Sequence, residues 1–511
     1  NLLYAGTDDG LIQVTEDAKT WRKAGSFPGV PEYTYVSDVL PSRFNENVVY
    51  AAFNNHKRDD FKPYILKSED KGKSWKAISA TLPENGSVWS LSEDFENPNL
   101  LFCGTEFGFY FTVDGGNKWI KLGNGLPDIP VRDIHLQKKH GDIVIATFGR
   151  GFYIMDDYTP LRSITNELLE KDGHIFGVRD GLMYIEMAGR YGTGDTYYKA
   201  PNPEFGVNIT YYIKEVPKTL KDIRKAKEAD LFKEGKPIPI PTDTELQAEQ
   251  REVAPYLLVW IEDETGNIVR KLTKPATKGV NRINWDLKHQ MITNLKADKF
   301  NANMKTQSSN LVMPGKFTAT IFMVTREGVS PLADKVEFKA EALRNTTLPA
   351  VDRAELVKFQ SDVRDLSRIV RGTYVYLAEL ITKVNTLKQA ALNSPGTGYE
   401  PLLRADRILD TLNNVLLKFE RKSNFPSTEE NPPSQVTIME RLSTLMWTHW
   451  RSTSGVTKNE RVAFDVLKSE FPPLYEIIRR MAEVEVRNLE NEIDFIGGYL
   501  APGKLPDLWI K

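Results

Sequence analysis

A repeated short motif constrains this chain more than anything else in its sequence. Leu2-Leu3-Tyr4-Ala5-Gly6-Thr7 recurs as Val48-Val49-Tyr50-Ala51-Ala52, as Leu100-Leu101-Phe102-Cys103-Gly104-Thr105 and as Ile143-Val144-Ile145-Ala146-Thr147. Aligned on positions 4, 50, 102 and 145, the copies stand 46, 52 and 43 residues apart. That period fits a four-stranded propeller blade. A second strand lies between the copies: Tyr35-Val36-Ser37-Asp38-Val39, Val88-Trp89-Ser90-Leu91 and Val131-Arg132-Asp133-Ile134-His135-Leu136. Turns rich in Pro, Asn and Gly, such as Glu96-Asn97-Pro98-Asn99, separate the elements.

A third recurring segment is the most specific. Ser68-Glu69-Asp70-Lys71-Gly72-Lys73-Ser74-Trp75 and Thr112-Val113-Asp114-Gly115-Gly116-Asn117-Lys118-Trp119 share Ser/Thr-x-Asp-x-Gly-x-x-Trp. A degenerate copy, Thr15-Glu16-Asp17-Ala18-Lys19-Thr20-Trp21, is one residue shorter and lacks the glycine. These segments resemble the Asp-box, or BNR, hairpin. In it Asp and Ser/Thr bond turn amides, Gly permits positive φ, and Trp packs between strands. Asp boxes occur in sialidases, but the motif's job is architectural, so Asp70 and Asp114 are not read as catalytic.

The wider resemblance is to a bacterial family of extracytoplasmic, sortilin-like BNR-repeat proteins labelled "glycosyl hydrolase" or "sialidase family". It rests on Leu126-Pro127-Asp128-Ile129-Pro130-Val131-Arg132-Asp133-Ile134 and on the run from Ile145 through Thr147-Phe148-Gly149-Arg150-Gly151 and Asp156-Asp157-Tyr158-Thr159-Pro160 to Arg162. It extends through Asn208–Lys214, Gly279–Leu287 and Met313–Phe317 to Pro502-Gly503-Lys504-Leu505-Pro506. The family also resembles the two-propeller xyloglucanases in architecture. The resemblance implies that this chain is the C-terminal half of a longer protein. It implies an extracytoplasmic location (periplasm, cell surface or secreted) and a protein or peptide ligand in a propeller channel.

The 511-residue chain divides by pattern, at roughly 100–200 residues per domain. Residues 1–162 read as about three blades of a β-propeller. Residues 163–345 read as a β-sandwich of fibronectin or immunoglobulin type, with the hairpin Tyr256–Asp263 and Ile268–Leu272 around Glu264-Thr265-Gly266-Asn267. A charged helical insertion interrupts it near 217–252. Its Lys/Glu run reads as a solvated helix face, with partner docking as the alternative. From 346 to 511 the period becomes helical. Leu356, Phe359, Val363, Leu366, Val370, Leu377, Leu380, Val384 and Leu387 predict one long helix from near Asp352 to before Pro395-Gly396. Further helices are predicted over 402–419, 436–450 and 473–496, making a bundle. Trp447 and Trp450 share a face, read as core packing, with a sugar platform as the alternative.

Composition narrows the chemistry. Lys+Arg 67 against Asp+Glu 69 gives a net charge of -2, so no global field favours nucleic acid. No apolar run is long enough for a membrane span. The lone Cys103 and six dispersed His offer no metal spacing, and no metal or cofactor is expected. Asp8-Asp9-Gly10 and Asp156-Asp157 lack the spacing of a calcium loop. There is no Gly-x-Ser-x-Gly elbow. Arg132 and Arg150 do not by themselves complete a sialidase arginine cluster. Asp38 and Asp133, on equivalent inner strands, are the candidate carboxylate pair, with Arg132 beside them.

Two functions follow as expectations. The first is a non-enzymatic binding or assembly protein. The second is a glycoside hydrolase acting on polysaccharide. About three blades leave a propeller open, since four to eight close one. Leu2–Val14 is therefore expected to pack on blades outside this sequence.

Overall fold

The computed structural model describes residues 2–123, 125–184, 200–293, 300–343, 350–421, 427, 429–431, 435–450 and 454–495. The Pro502–Pro506 motif lies outside them, as does the side chain of His449. The chain is mostly β with a C-terminal helical region, and it forms two compact units. One unit is Asn1–Gly177 with Thr210–Glu215; the other is Val178–Ile209 with Val216–Lys511.

The first unit begins as four consecutive antiparallel sheets. Leu3–Gly6, Ile12–Thr15 and Arg22–Ala24 (β1–β3) form the first. Tyr35–Pro41, Val49–Asn55, Asp60–Ser68 and Lys76–Ala77 (β4–β7) form the second. Val88–Glu93, Leu101–Thr105, Gly108–Thr112 and Ile120–Lys121 (β8–β11) form the third. Val131–Gln137, Asp142–Thr147 and Phe152–Met155 (β12–β14) form the fourth. Each sheet is a meander, and neighbouring sheets pack face to face, which is the propeller arrangement.

Three apolar clusters sit between the sheets, because alternate residues of a strand point to opposite faces. Ile12, Val36 and Phe53 meet between the first and second. Tyr50, Ile65, Leu91, Cys103 and Tyr110 meet between the second and third. Phe102, Phe109, Ile134 and Ile145 meet between the third and fourth. This alternation corrects the repeat register. Tyr50 and Phe102 face the following sheet, whereas Ile145 faces the preceding one. The structural equivalent of Phe102 is therefore Val144, one residue earlier. Among the described residues, β1 pairs only with β2, and Phe152 and Ile154 on β14 are exposed.

Both full copies of Ser/Thr-x-Asp-x-Gly-x-x-Trp make the same turn. Ser68 Oγ accepts from Gly72 N at 2.8 Å, and Thr112 Oγ1 accepts from Gly116 N at 3.1 Å. Asp70 Oδ1 accepts from the amides of Lys73 and Ser74, and Asp114 Oδ1 from that of Lys118. Each turn passes through two consecutive left-handed residues, Lys71-Gly72 and Gly115-Gly116. The degenerate copy uses one, Ala18 at φ 62°. Trp75 and Trp119 pack into the inter-sheet clusters, while Trp21 is 44% exposed.

The segment leaving the fourth sheet is pinned by a buried carboxylate. Asp94 accepts from Tyr158 Oη at 2.6 Å, from Arg162 Nε at 2.9 Å and from the amides of Glu96 and Asn97. Burial pushes this carboxyl up, but those bonds together hold it below its ordinary range. Tyr158 and Arg162 of the Asp157-Tyr158-Thr159-Pro160-Leu161-Arg162 run thus have a structural reason to be present.

In the second unit, Tyr256–Asp263, Ile268–Pro275, Gly315–Thr325, Gly328–Pro331 and Val336–Ala342 share a sheet with Gly181–Met183, which runs parallel to Val336–Ala342. Fully buried Trp285, on Gly279–Trp285, meets Phe317 and Phe338 edge-on at 5.0 and 5.9 Å. Two helices, Leu220–Lys233 (α1) and Asp243–Arg251 (α2), form the insertion. Arg353–Asn393 (α3), Glu400–Phe419 (α4), Ile438–Trp450 (α5) and Lys458–Arg480 (α6) share one core. Asp352 caps α3, as the sequence predicts. α6 starts 15 residues before the expected Pro473, because Thr457 and Glu460 make a capping box. Its buried Leu467, Phe471 and Ile478 carry the apolar face past Pro472 and Pro473. A π-helical stretch over Met481–Val486 follows. Trp450 packs on the bundle core and Trp447 is exposed.

Candidate functional site

The inner strands β4, β8 and β12 each carry a bulge at the same level. Their registers shift between Val36 and Asp38, between Val88 and Ser90, and between Val131 and Asp133. The residues skipped are Ser37, Trp89 and Arg132. A bulge unpairs one residue and re-aims its side chain. Three successive strands thus re-aim one side chain each at matching positions.

Ser37 Oγ donates to Val88 O at 2.8 Å, tying one strand to the next. Trp89 Nε1 donates to Glu106 Oε2 at 2.7 Å, and Arg132 Nη2 stands 3.8 Å from the same oxygen. The Arg132 guanidinium lies 3.6 Å from the Trp89 ring centroid and 5.2 Å from that of Phe148. His56 approaches Trp89 at 5.3 Å, its Nδ1 shared with Asn54 Oδ1. Arg132 and Trp89 are close enough for a cation–π contact. Glu106 fixes both partners from one carboxylate.

These side chains come from strand ends and hairpins. His56 follows β5, Glu106 and exposed Phe107 sit between β9 and β10, and exposed Phe148 sits between β13 and β14. The last hairpin, Phe148-Gly149-Arg150-Gly151, turns through left-handed Gly149 and Gly151, and Thr147 bonds Gly151 O. Arg150 is exposed at its tip. Four polar atoms at this level are buried without a hydrogen-bond partner: Asn54 Nδ2, Ser87 Oγ, Ser90 Oγ and Arg132 Nε. They are closed to solvent, so they belong to the packing behind the cluster, whereas the exposed groups at this level are Phe107, Phe148 and Arg150.

Asp38 and Asp133 directly follow their bulges. Asp38 Oδ2 accepts from Leu91 N at 2.7 Å, so its carboxylate clasps the next sheet. Burial raises its pKa, against bonds from the Leu91 and Val39 amides, and the charge of Asp133 adds to the rise. Asp133 is exposed and accepts from the amide of Ile134 at 2.8 Å. Arg132 thus stands at the aromatic cluster, Asp38 is engaged in the fold, and Asp133 faces outward. Trp89, Glu106, His56 and Phe148 were not singled out from sequence. The signal was available: aligning Val36-Ser37-Asp38, Val88-Trp89-Ser90 and Val131-Arg132-Asp133 puts Ser37, Trp89 and Arg132 in one column. Among the described residues, no group of His, Cys, Asp and Glu is arranged to hold a metal ion, and no helix is long and apolar enough to cross a membrane.

No protein-family model and no curated relative matches the chain. Solved structures similar to it are propeller proteins. YCF48 bound to D1 peptide matches at 15% identity, over 41% of this chain and 59% of that one, with a TM-score of 0.25. The GH74 xyloglucanase from Xanthomonas campestris matches at 12% identity, over 68% and 55%, with a TM-score of 0.26. The Dos1 propeller matches at 10% identity, over 30% and 42%, with a TM-score of 0.25. In each case the match spans less than two thirds of the other protein.

Proposed function

We propose that the Trp89–Arg132 face of this sortilin-like, Asp-box propeller binds an extended protein segment without catalysis. The proposed setting is extracytoplasmic, as a secreted or cell-surface assembly protein. The observation that carries the reading is a cation held on an aromatic ring beside the exposed Phe107, Phe148 and Arg150 of neighbouring hairpins. A sugar needs a bare aromatic face, whereas Arg132 covers one face of Trp89 and His56 crowds the ring at a tilt of 55°. The exposed Phe152 and Ile154 and the unpaired edge of β1 fit further blades as a second partner. In this reading the chain has three domains, 1–162, 163–345 and 346–511, of propeller, sandwich and bundle type.

One observation favours the glycoside hydrolase instead. A carboxyl raised by burial beside an exposed carboxylate is the acid–base pattern of such enzymes, and Asp38 with Asp133 has it. The test uses the full chain in two assays. In a displayed library of random peptides, a consensus binder should lose at least about tenfold in affinity with Trp89→Ala or Arg132→Ala and keep it with Asp133→Asn. Release of reducing sugar from xyloglucan, abolished by Asp133→Asn, would sink the binding reading.

A further inference from the structure

The helical insertion of the second unit buries nothing. Neither α1 nor α2 has a buried residue, and every residue from Phe232 to Ile240 is exposed. Phe232 is 76% and Ile240 92% exposed. Exposed single apolar residues are ordinary, but a cluster at the tip of an otherwise charged arm is not.

The tip has an unusual backbone. Lys236-Pro237-Ile238-Pro239-Ile240-Pro241 consists entirely of prolines and residues that precede a proline. Proline fixes φ near about −65°, and the residue before it is pushed out of the helical region. All six residues are therefore held extended before any partner arrives. Three of the six lack an N–H, so the segment cannot join a sheet through both edges.

The arm is built to present this tip. Glu252 pins its base, accepting from Leu220 N at 2.6 Å and lying 3.8 Å from Arg326. Arg224 bridges the helices to Glu249 at 2.6 Å, and Thr219 and Thr242 cap them. A cavity of 320 Å³ lies under the tip, lined by Ile223, Leu231, Ile240 and Ala248 among others. Lys233 and Lys236 flank the tip and pair with Asp230 at 3.9 Å and Glu234 at 2.7 Å, so the tip presents balanced charge around its apolar residues.

We infer that residues 232–241 are a docking ligand, presented to an uncharged apolar groove on another protein. Preset extended segments of this kind dock into such grooves at low entropic cost. Ile238 and Ile240 are the anchors. A bilayer is the less fitting occupant, because Asp222, Glu228, Asp230 and Glu234 interleave with the lysines of α1 and leave it no apolar stripe. The surface is independent of the blade face.

The test places p-benzoylphenylalanine at Ile240 in the full chain, with Gln247 as the control position, and photolyses it in extract of the source cells. The expected result is one discrete cross-linked protein at 240 and none at 247. That protein, purified, should bind the full chain. Ile238→Asp with Ile240→Asp should weaken binding at least about a hundredfold. Pro237, Pro239 and Pro241 all changed to Ala should weaken it about tenfold, through lost pre-organisation. Unchanged thermal melts would show that the arm's variants still fold. The inference is overturned by equal labelling at 240 and 247, or by a product that is a second copy of this chain. It is also overturned by binding that survives the double Asp variant, or by arm-dependent binding to phosphatidylserine vesicles in place of a protein.

Discussion

At the scale of single residues, the buried charges separate what holds the fold from what is open to a ligand. Asp94 has no exposed side-chain surface and gathers Tyr158, Arg162 and two amides. Asp94→Ala should cost about 3 kcal/mol, because it unpairs the Arg162 Nε, the Tyr158 hydroxyl and two amide N–H groups together, although Arg162 keeps Glu96. Urea unfolding read by tryptophan fluorescence checks this. His289 is the pH-sensitive counterpart. Burial first, and the Arg364 charge second, lower its pKa from 6.5 to about 4. The folded protein therefore holds this proton less well than the unfolded chain. Stability contributed by neutral His289 is present above about pH 6.5 and is lost as the pH falls toward about 4. A His289→Gln variant should show a flatter stability profile over that window, measured by thermal melts at stepped pH.

At the scale of elements, the three turns of the Ser/Thr-x-Asp motif form a graded series. The two full copies pass through two left-handed residues, and each places a glycine second. The degenerate copy loses a residue, keeps the Asp17 bonds to Lys19 and Thr20 amides, and forces Ala18 to positive φ. A non-glycine residue there costs on the order of 1 kcal/mol. Ala18→Gly should therefore raise stability by about 0.5–1 kcal/mol, partly offset by the freer unfolded chain, and differential scanning calorimetry reads it directly. Hydrogen bonds from Ser74 and its neighbours hold the Asp70 carboxyl well below the usual range, so it stays ionised as a turn acceptor. The inner-strand bulges are the other recurring element. Composition does not mark them, because a bulge changes register without changing residue type, and they show in sequence only when the three inner strands are aligned.

At the scale of the whole molecule, the two units have distinct cores and distinct reporters. All the long helices belong to the second unit. Asp94→Ala should therefore lower the stability of the first unit while leaving the loss of helical ellipticity at 222 nm at its original urea midpoint. A single shared shift would show that the units unfold as one.

Much of this architecture was legible in residue order. The repeat, its turn residues and the 3.6-residue period of α3 are local patterns, written in neighbouring positions and read without knowing the fold. The insertion's helices were legible for the same reason, from their caps and charge pattern. The candidate site was not. Trp89, Glu106, Arg132 and Phe148 come from separate hairpins, and their convergence depends on sheet packing and on bulges that re-aim side chains. Asp38 and Asp133 looked equivalent in sequence. Packing made them different, since one is pressed against the next sheet's amide and the other is left in solvent. The sequence by itself determined the β-meander period, the turns and the helical C-terminal region, because each is governed by backbone preferences acting over a few residues. Only the tertiary structure decided which polar atoms are buried without partners and which cation rests on which ring, because desolvation and distance are properties of the packed chain.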